Sequence, residues 1–116
     1  KAKIRTSLFI NPSLKDMKLA KLLKVDCVEI HTGKLSNKIK SNINHTNELN
    51  RIIRSSKLAN SFGIEVHAGH GLDYKTTKLL SKIKEIEEYN IGHFIIGESI
   101  FYGFSRVIQN FKKLLK

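Results

Sequence analysis

Tryptophan is absent from this 116-residue chain, and cysteine and proline occur once each. One thiol, Cys27, cannot form a disulfide within the chain, and inside an apolar run it reads as a small buried hydrophobe. Long apolar runs are also missing. No stretch approaches the ~20 residues of a membrane helix, so no membrane association is expected, and the opening residues lack the hydrophobic segment of a secretory signal. A cytoplasmic setting is the resulting expectation. Acidic residues are few: 10 against 21 lysines and arginines, a formal charge of +11. Such a field attracts phosphates, nucleic acid or acidic membranes. The excess is mostly lysine at helical spacing beside apolar positions, as at Lys15, Lys18 and Lys21, which reads as solvated helix faces. No basic stripe interleaved with aromatics marks a nucleic-acid surface, so no nucleic-acid partner is expected. H-x-H and H-E-x-x-H spacings are lacking, so no metal site is expected at His31, His67, His70 or His93.

What is present is a repeated alternation of strand and helix patterns. Residues 4–10 are β-branched and apolar and end at Asn11-Pro12-Ser13, a turn cluster suited to opening a helix. Met17, Leu19, Ala20, Leu22 and Leu23 recur at helical spacing over 14–25, and 27–31 (CVEIH) reads as a second strand closed by Thr32-Gly33. Residues 34–44 are polar without a clear period and are expected to form a loop. A helix over 46–62 stops at Gly63 and hands over to a strand at 64–68. After Gly69-His70-Gly71 the pattern predicts a helix over 74–86, a fourth strand at 88–92 and a short extra helix over 93–102. Past Gly103 comes a final helix carrying Val107, Ile108, Phe111, Leu114 and Leu115.

Four strand-then-helix units imply parallel strands, because each crossover is long enough to return the chain to the same end of the sheet. The expected class is α/β, as a single domain over 1–116. Four such units make half of an eight-unit (β/α) barrel, the TIM barrel, and a small open doubly wound sheet is the other candidate. A closed barrel needs about 200 to 250 residues, so this chain would supply one half only.

In either architecture ligands bind where parallel strands end, and those ends are polar here. His70 stands between Gly69 and Gly71, where glycines let main-chain N–H groups approach an anion and the imidazole can exchange protons near neutral pH. A flexible turn with an incidental histidine is an equal reading of that tripeptide alone. Gly92-His93, opening a short helix, fits an anion site made by helix-terminal N–H groups, although in isolation a surface histidine is the commoner reading. Glu29 lies within an apolar strand, where its charge needs a partner. Strict alternation places it on one face with His31, toward the lumen of a barrel, where a carboxylate could hold a substrate or stabilise positive charge.

The motifs SLFI at 7–10, VEIHTG at 28–33, AGHGL at 68–72 and NIGHFIIG at 90–97 occur in the order and approximate spacing of the pyridoxine 5'-phosphate synthase family, which the chain resembles over nearly its whole length. The resemblance implies the C-terminal half of a (β/α)8 barrel that needs no cofactor. It also implies a transferase activity of vitamin B6 biosynthesis, condensing 3-amino-2-oxopropyl phosphate with 1-deoxy-D-xylulose 5-phosphate to pyridoxine 5'-phosphate. His70 would then be a general acid, Glu29 would stabilise a cationic intermediate, and Gly71, Gly92 and His93 would hold a substrate phosphate. Small phosphorylated substrates and a homo-oligomer are the partners implied. Asn11 and His67 depart from the family pattern and receive no role. The family's remaining acid/base pair and its arginine phosphate contacts belong to an N-terminal half not represented in these residues. A non-catalytic half-barrel that binds phosphate or assembles with a partner is the alternative.

Overall fold

Each apolar segment read as a strand pairs with its neighbour, and every pairing is parallel. Residues 3–115 are described by a computed structural model. The elements run β1 (Ser7–Ile10), α1 (Leu14–Leu23), β2 (Cys27–His31), α2 (Gly33–Lys40), α3 (Thr46–Ser61), β3 (Glu65–Gly69), α4 (Tyr74–Leu80), β4 (Ile86–Asn90), α5 (His93–Tyr102) and α6 (Phe104–Leu114). Strand order is β1-β2-β3-β4. A doubly wound sheet would reverse its order at a switch point; this one does not, and the four consecutive β/α units form half of a (β/α)8 barrel.

Alternation along the strands sorts the two faces. Val28, Ile30, Val66, Ala68 and Ile86 turn toward the helices and join Met17, Leu35, Ile52 and Leu80 in a continuous buried core. The other face carries Phe9, Glu29 and His67, which lie side by side across β1, β2 and β3. Between β3 and β4 the register slips: Val66 pairs with Ile86 but His67 pairs with Glu88, so Glu87 is an extra residue, a bulge. Beyond it Gly69 faces Asn90.

Local chemistry fixes the helix starts. Ser13 Oγ accepts the Asp16 N–H at 3.4 Å to open α1, and Asp73 Oδ1 accepts the Thr76 N–H at 2.8 Å to open α4. Ahead of β2, Asp26 accepts the Thr6 N–H at 2.7 Å and its hydroxyl at 3.1 Å. These bonds, the backbone one foremost, hold the Asp26 carboxyl below its ordinary pKa.

Several boundaries differ from the sequence expectation. The segment expected as a loop over 34–44 begins with the helix α2, because Leu35 is fully buried and Ile39 follows one turn later, a two-residue apolar stripe too short to register as a period. The helix expected over 74–86 ends at Leu80. Leu80, Ile83 and Ile86 keep a helical spacing of three, yet Ile83 and Ile86 reach the core through successive turns in which their N–H groups donate to Leu80 and Ile83 carbonyls. The fourth strand therefore starts at Ile86 rather than 88. Strand β1 starts at Ser7, with Ile4 left 76% exposed, and β3 runs one residue later than expected.

Candidate functional site

The ends of the four strands and the start of α5 enclose a cleft of about 630 Å³. Glu29, His70, Gly71, Gly92 and His93, the five residues singled out from sequence, all line it. Phe9 from β1, Asn90 from β4 and Lys40 from α2 complete much of the wall.

Glu29 enters the cleft because its diagonal neighbour on β3, Gly69, has no side chain. A Cβ on Gly69 would stand 1.9 Å from Glu29 Oε1. The carboxylate is half-buried and its Oε2 accepts a hydrogen bond from Asn90 Nδ2 at 2.8 Å. The register slip before Glu88 is what carries Asn90 to that position.

His70 has a left-handed backbone, φ 74°, followed by Gly71, also φ 74°. For a histidine this conformation costs about 1 kcal/mol, and the surroundings hold it in place. Thr32, fully buried at the end of β2, donates its N–H to the Gly69 carbonyl at 2.9 Å. Its hydroxyl lies 2.8 Å from the Gly69 carbonyl and 2.9 Å from that of His70, so a single proton is shared between two acceptors. The imidazole stacks on His31 with ring centroids 4.5 Å apart, and Phe9 lies 5.0 Å from His31 and 6.2 Å from His70. Gly33 leaves room for both imidazoles: a Cβ there would come within 2.6 Å of His70 Cδ2 and 2.7 Å of His31 Cε1. Its N–H donates to His31 Nδ1 at 3.2 Å, which places the proton of the neutral ring on Nε2. The exposed His70 ring thus completes a three-ring wall with Phe9 and His31, and it lines the same cleft as Glu29.

Gly92 precedes α5, whose first N–H groups receive no side-chain cap. Those amides and the positive end of the helix dipole suit an anion. Gly71 has a steric reason to be glycine, since a Cβ would lie 3.3 Å from Gly33 Cα on an already left-handed backbone. A Cβ on Gly92 would meet nothing within 4 Å, so what it provides is open approach to the backbone.

His67 is buried outside the cleft. Its Nε2 lies 2.7 Å from Glu65 and its Nδ1 3.4 Å from Glu88, and Arg5 also bonds to Glu65. The His67 bond, then Arg5, holds the Glu65 carboxyl below its ordinary pKa. Among the described residues no group of three or more His, Cys, Asp or Glu side chains is placed to hold a metal ion. Sequence reasoning did not find Lys40, whose helix was read as a loop, nor the supporting roles of Thr32, Gly33 and Gly69. The glycines at strand ends were the available signal for the last two.

The model of the family "Pyridoxal phosphate biosynthesis protein PdxJ" matches residues 1–116. The pyridoxine 5'-phosphate synthase of Pelagibacter ubique (strain HTCC1062) is 61% identical over 114 residues, covering 98% of this chain and 48% of the relative. The enzyme of the same name from Zymomonas mobilis is 44% identical over 114 residues, covering 98% and 44%, and that from Campylobacter lari is 38% identical over 135 residues, covering 97% and 53%. The chain spans about half the length of the curated relatives it matches. With the four strand-end motifs gathered in one cleft and the match running end to end, this chain belongs to the PdxJ family of pyridoxal phosphate biosynthesis proteins.

Proposed function

We propose that this chain provides half of the active site of a pyridoxine 5'-phosphate synthase. In that reaction 3-amino-2-oxopropyl phosphate condenses with 1-deoxy-D-xylulose 5-phosphate, releasing inorganic phosphate and water. The observation that carries this reading is the convergence of Glu29, His70, Gly71, Gly92 and His93 on one cleft. Carbonyl condensation and dehydration require repeated proton transfers. His70, exposed in the same cleft as Glu29 and backed by two rings, would give and take those protons. The Glu29 carboxylate, held by Asn90, would stabilise positive charge on an iminium or protonated carbonyl. The amides around Gly71 and at the start of α5, with His93, would anchor the aminoketone phosphate and fix its carbon chain between the two groups. No step requires a cofactor.

The remaining acid/base groups come from outside these 116 residues, so the isolated chain is expected not to complete the reaction. No helix among the described residues is long and apolar enough to cross a membrane, and we place the enzyme in the cytoplasm. Ile100, Phe101 and Tyr102, exposed on α5, support a homo-oligomer. The edges of β1 and β4, unpaired among the described residues, favour a second reading, a half-barrel that assembles with a partner without catalysis.

One experiment separates these. The chain is joined to the N-terminal portion of the Pelagibacter relative, supplied with both substrates, and pyridoxine 5'-phosphate is measured by chromatography. The fusion should form product, the 116 residues alone should not, and His70→Ala in the fusion should lower the rate about 100-fold or more. A folded, active fusion indifferent to His70→Ala and Glu29→Gln would overturn the catalytic assignment, and an inactive one that assembles stably would favour the module.

A further inference from the structure

The helix α2 brings a polar face against the His70-Gly71 loop. Ser36 and Lys40 are four residues apart and share one side of it. Ser36 is fully buried, and its Oγ has no hydrogen-bond partner among the described residues. That oxygen would lie 3.6 Å from a Cβ on Gly71. Ser36 is one of six buried hydroxyls without a partner among the described residues, and its place beside the Gly71 turn leaves it open to a ligand bound there.

Lys40 adds the charge. It stands in the last turn of α2, where an ammonium usually serves the helix's own terminal carbonyls. Its Nζ instead reaches across to the Gly71 carbonyl, at a long 3.4 Å. Lys34 on the same helix pairs with Glu48 at 3.5 Å, whereas Lys40 makes no ion pair among the described residues. Among the side chains lining the cleft, Glu29 and Glu98 are acidic, His70 and His93 are imidazoles, and Lys40 is the one fixed cation. A phosphate monoester entering beside two carboxylates needs such a charge to offset them.

We propose that Lys40 is a phosphate-binding residue of this site, its ammonium moving from the Gly71 carbonyl onto a phosphate monoester held by the amides of Gly71 and α5. This rests on reading the cleft as a phosphate site. The test is a titration of the protein with inorganic phosphate, followed through the backbone amide signals of Gly71, Gly92 and His93. Lys40 is exposed, so its replacement leaves the fold intact. Lys40→Gln should weaken binding roughly tenfold, the scale of one charge-assisted contact, and reduce its salt dependence. Lys40→Arg should retain most of it, and Lys34→Gln should change nothing. If phosphate binds Lys40→Gln as tightly as the unaltered protein, the role of Lys40 is refuted while the phosphate site stands. If phosphate moves none of those amides in the unaltered protein, the site reading fails and takes this inference with it. A parallel titration with glycerol 3-phosphate should show the same loss in Lys40→Gln; a loss confined to the free ion would refute the monoester assignment.

Discussion

Replacing Gly69 by alanine tests how the sheet makes room for Glu29. Gly69 ends β3 without a positive φ, so alanine should meet no backbone penalty there. The obstacle is one side chain. The added Cβ would stand 1.9 Å from Oε1, 2.5 Å from Cδ and 3.1 Å from Cγ of Glu29. A strand paired on both sides yields less readily than a carboxylate, so Glu29 should swing away and release Asn90 from its 2.8 Å bond. Losing that bond costs about 1 kcal/mol, and an off-rotamer side chain about 0.5 to 1.5 kcal/mol, giving about 1.5 to 2.5 kcal/mol together. Urea unfolding of four proteins measures it: the unaltered chain, Gly69→Ala, Glu29→Ala and the double variant. Gly69→Ala should cost about 2 kcal/mol when Glu29 is present and close to nothing when it is absent, a coupling typical of residues in contact. Equal costs in both backgrounds would refute the steric account, and with it the idea that glycine at this position exists to admit the carboxylate.

Gly33→Ala should pry the two imidazoles apart, since its Cβ would press on His70 and His31 together. Ring C–H resonances of both histidines should shift, and, on the proposed function, the fusion with the N-terminal portion of the relative should lose about 100-fold in turnover for a displacement near 1 Å; unmoved resonances would contradict this. Acid should destabilise the fold through Asp26 and Glu65. Both carboxyls are held below their ordinary values, so their contribution is complete above the unfolded carboxylate pKa of about 4 and is lost as pH falls through the lowered folded values. Asp26→Asn should flatten the dependence of the urea midpoint on pH below about 4, and an unchanged slope would rule Asp26 out as a contributor.

The architecture was legible because strand and helix differ in period and because glycines and caps mark the joints. Glu29 illustrates how far that reading carries: alternation alone placed it opposite the core face, and the strand pairing brings it to His70 and Asn90. Lys40 illustrates where it stops. A helix anchored by Leu35 and Ile39 has no longer run to reveal it, and the surrounding Lys, Asn and Ser residues look the same in a loop. The end of α4 failed for the opposite reason, since Ile83 and Ile86 satisfy helical spacing while packing from turns. Thr32 was hidden for a third reason. Its partners are carbonyls 37 and 38 residues away, and no local pattern encodes a main-chain acceptor on another strand.

The extra residue in β4 decides which side chain Glu29 meets. Were Glu87 to pair in turn after Ile86, so that no residue of β4 was skipped, Tyr89 would stand beside Gly69 and a phenol would occupy the place of the Asn90 amide. A slip of one residue some distance from the chemistry would then exchange the carboxylate's partner without any change of sequence. Alignments that slide this strand by one position would name the wrong neighbour, and libraries built to diversify the pocket should treat the register of this strand as a variable in its own right.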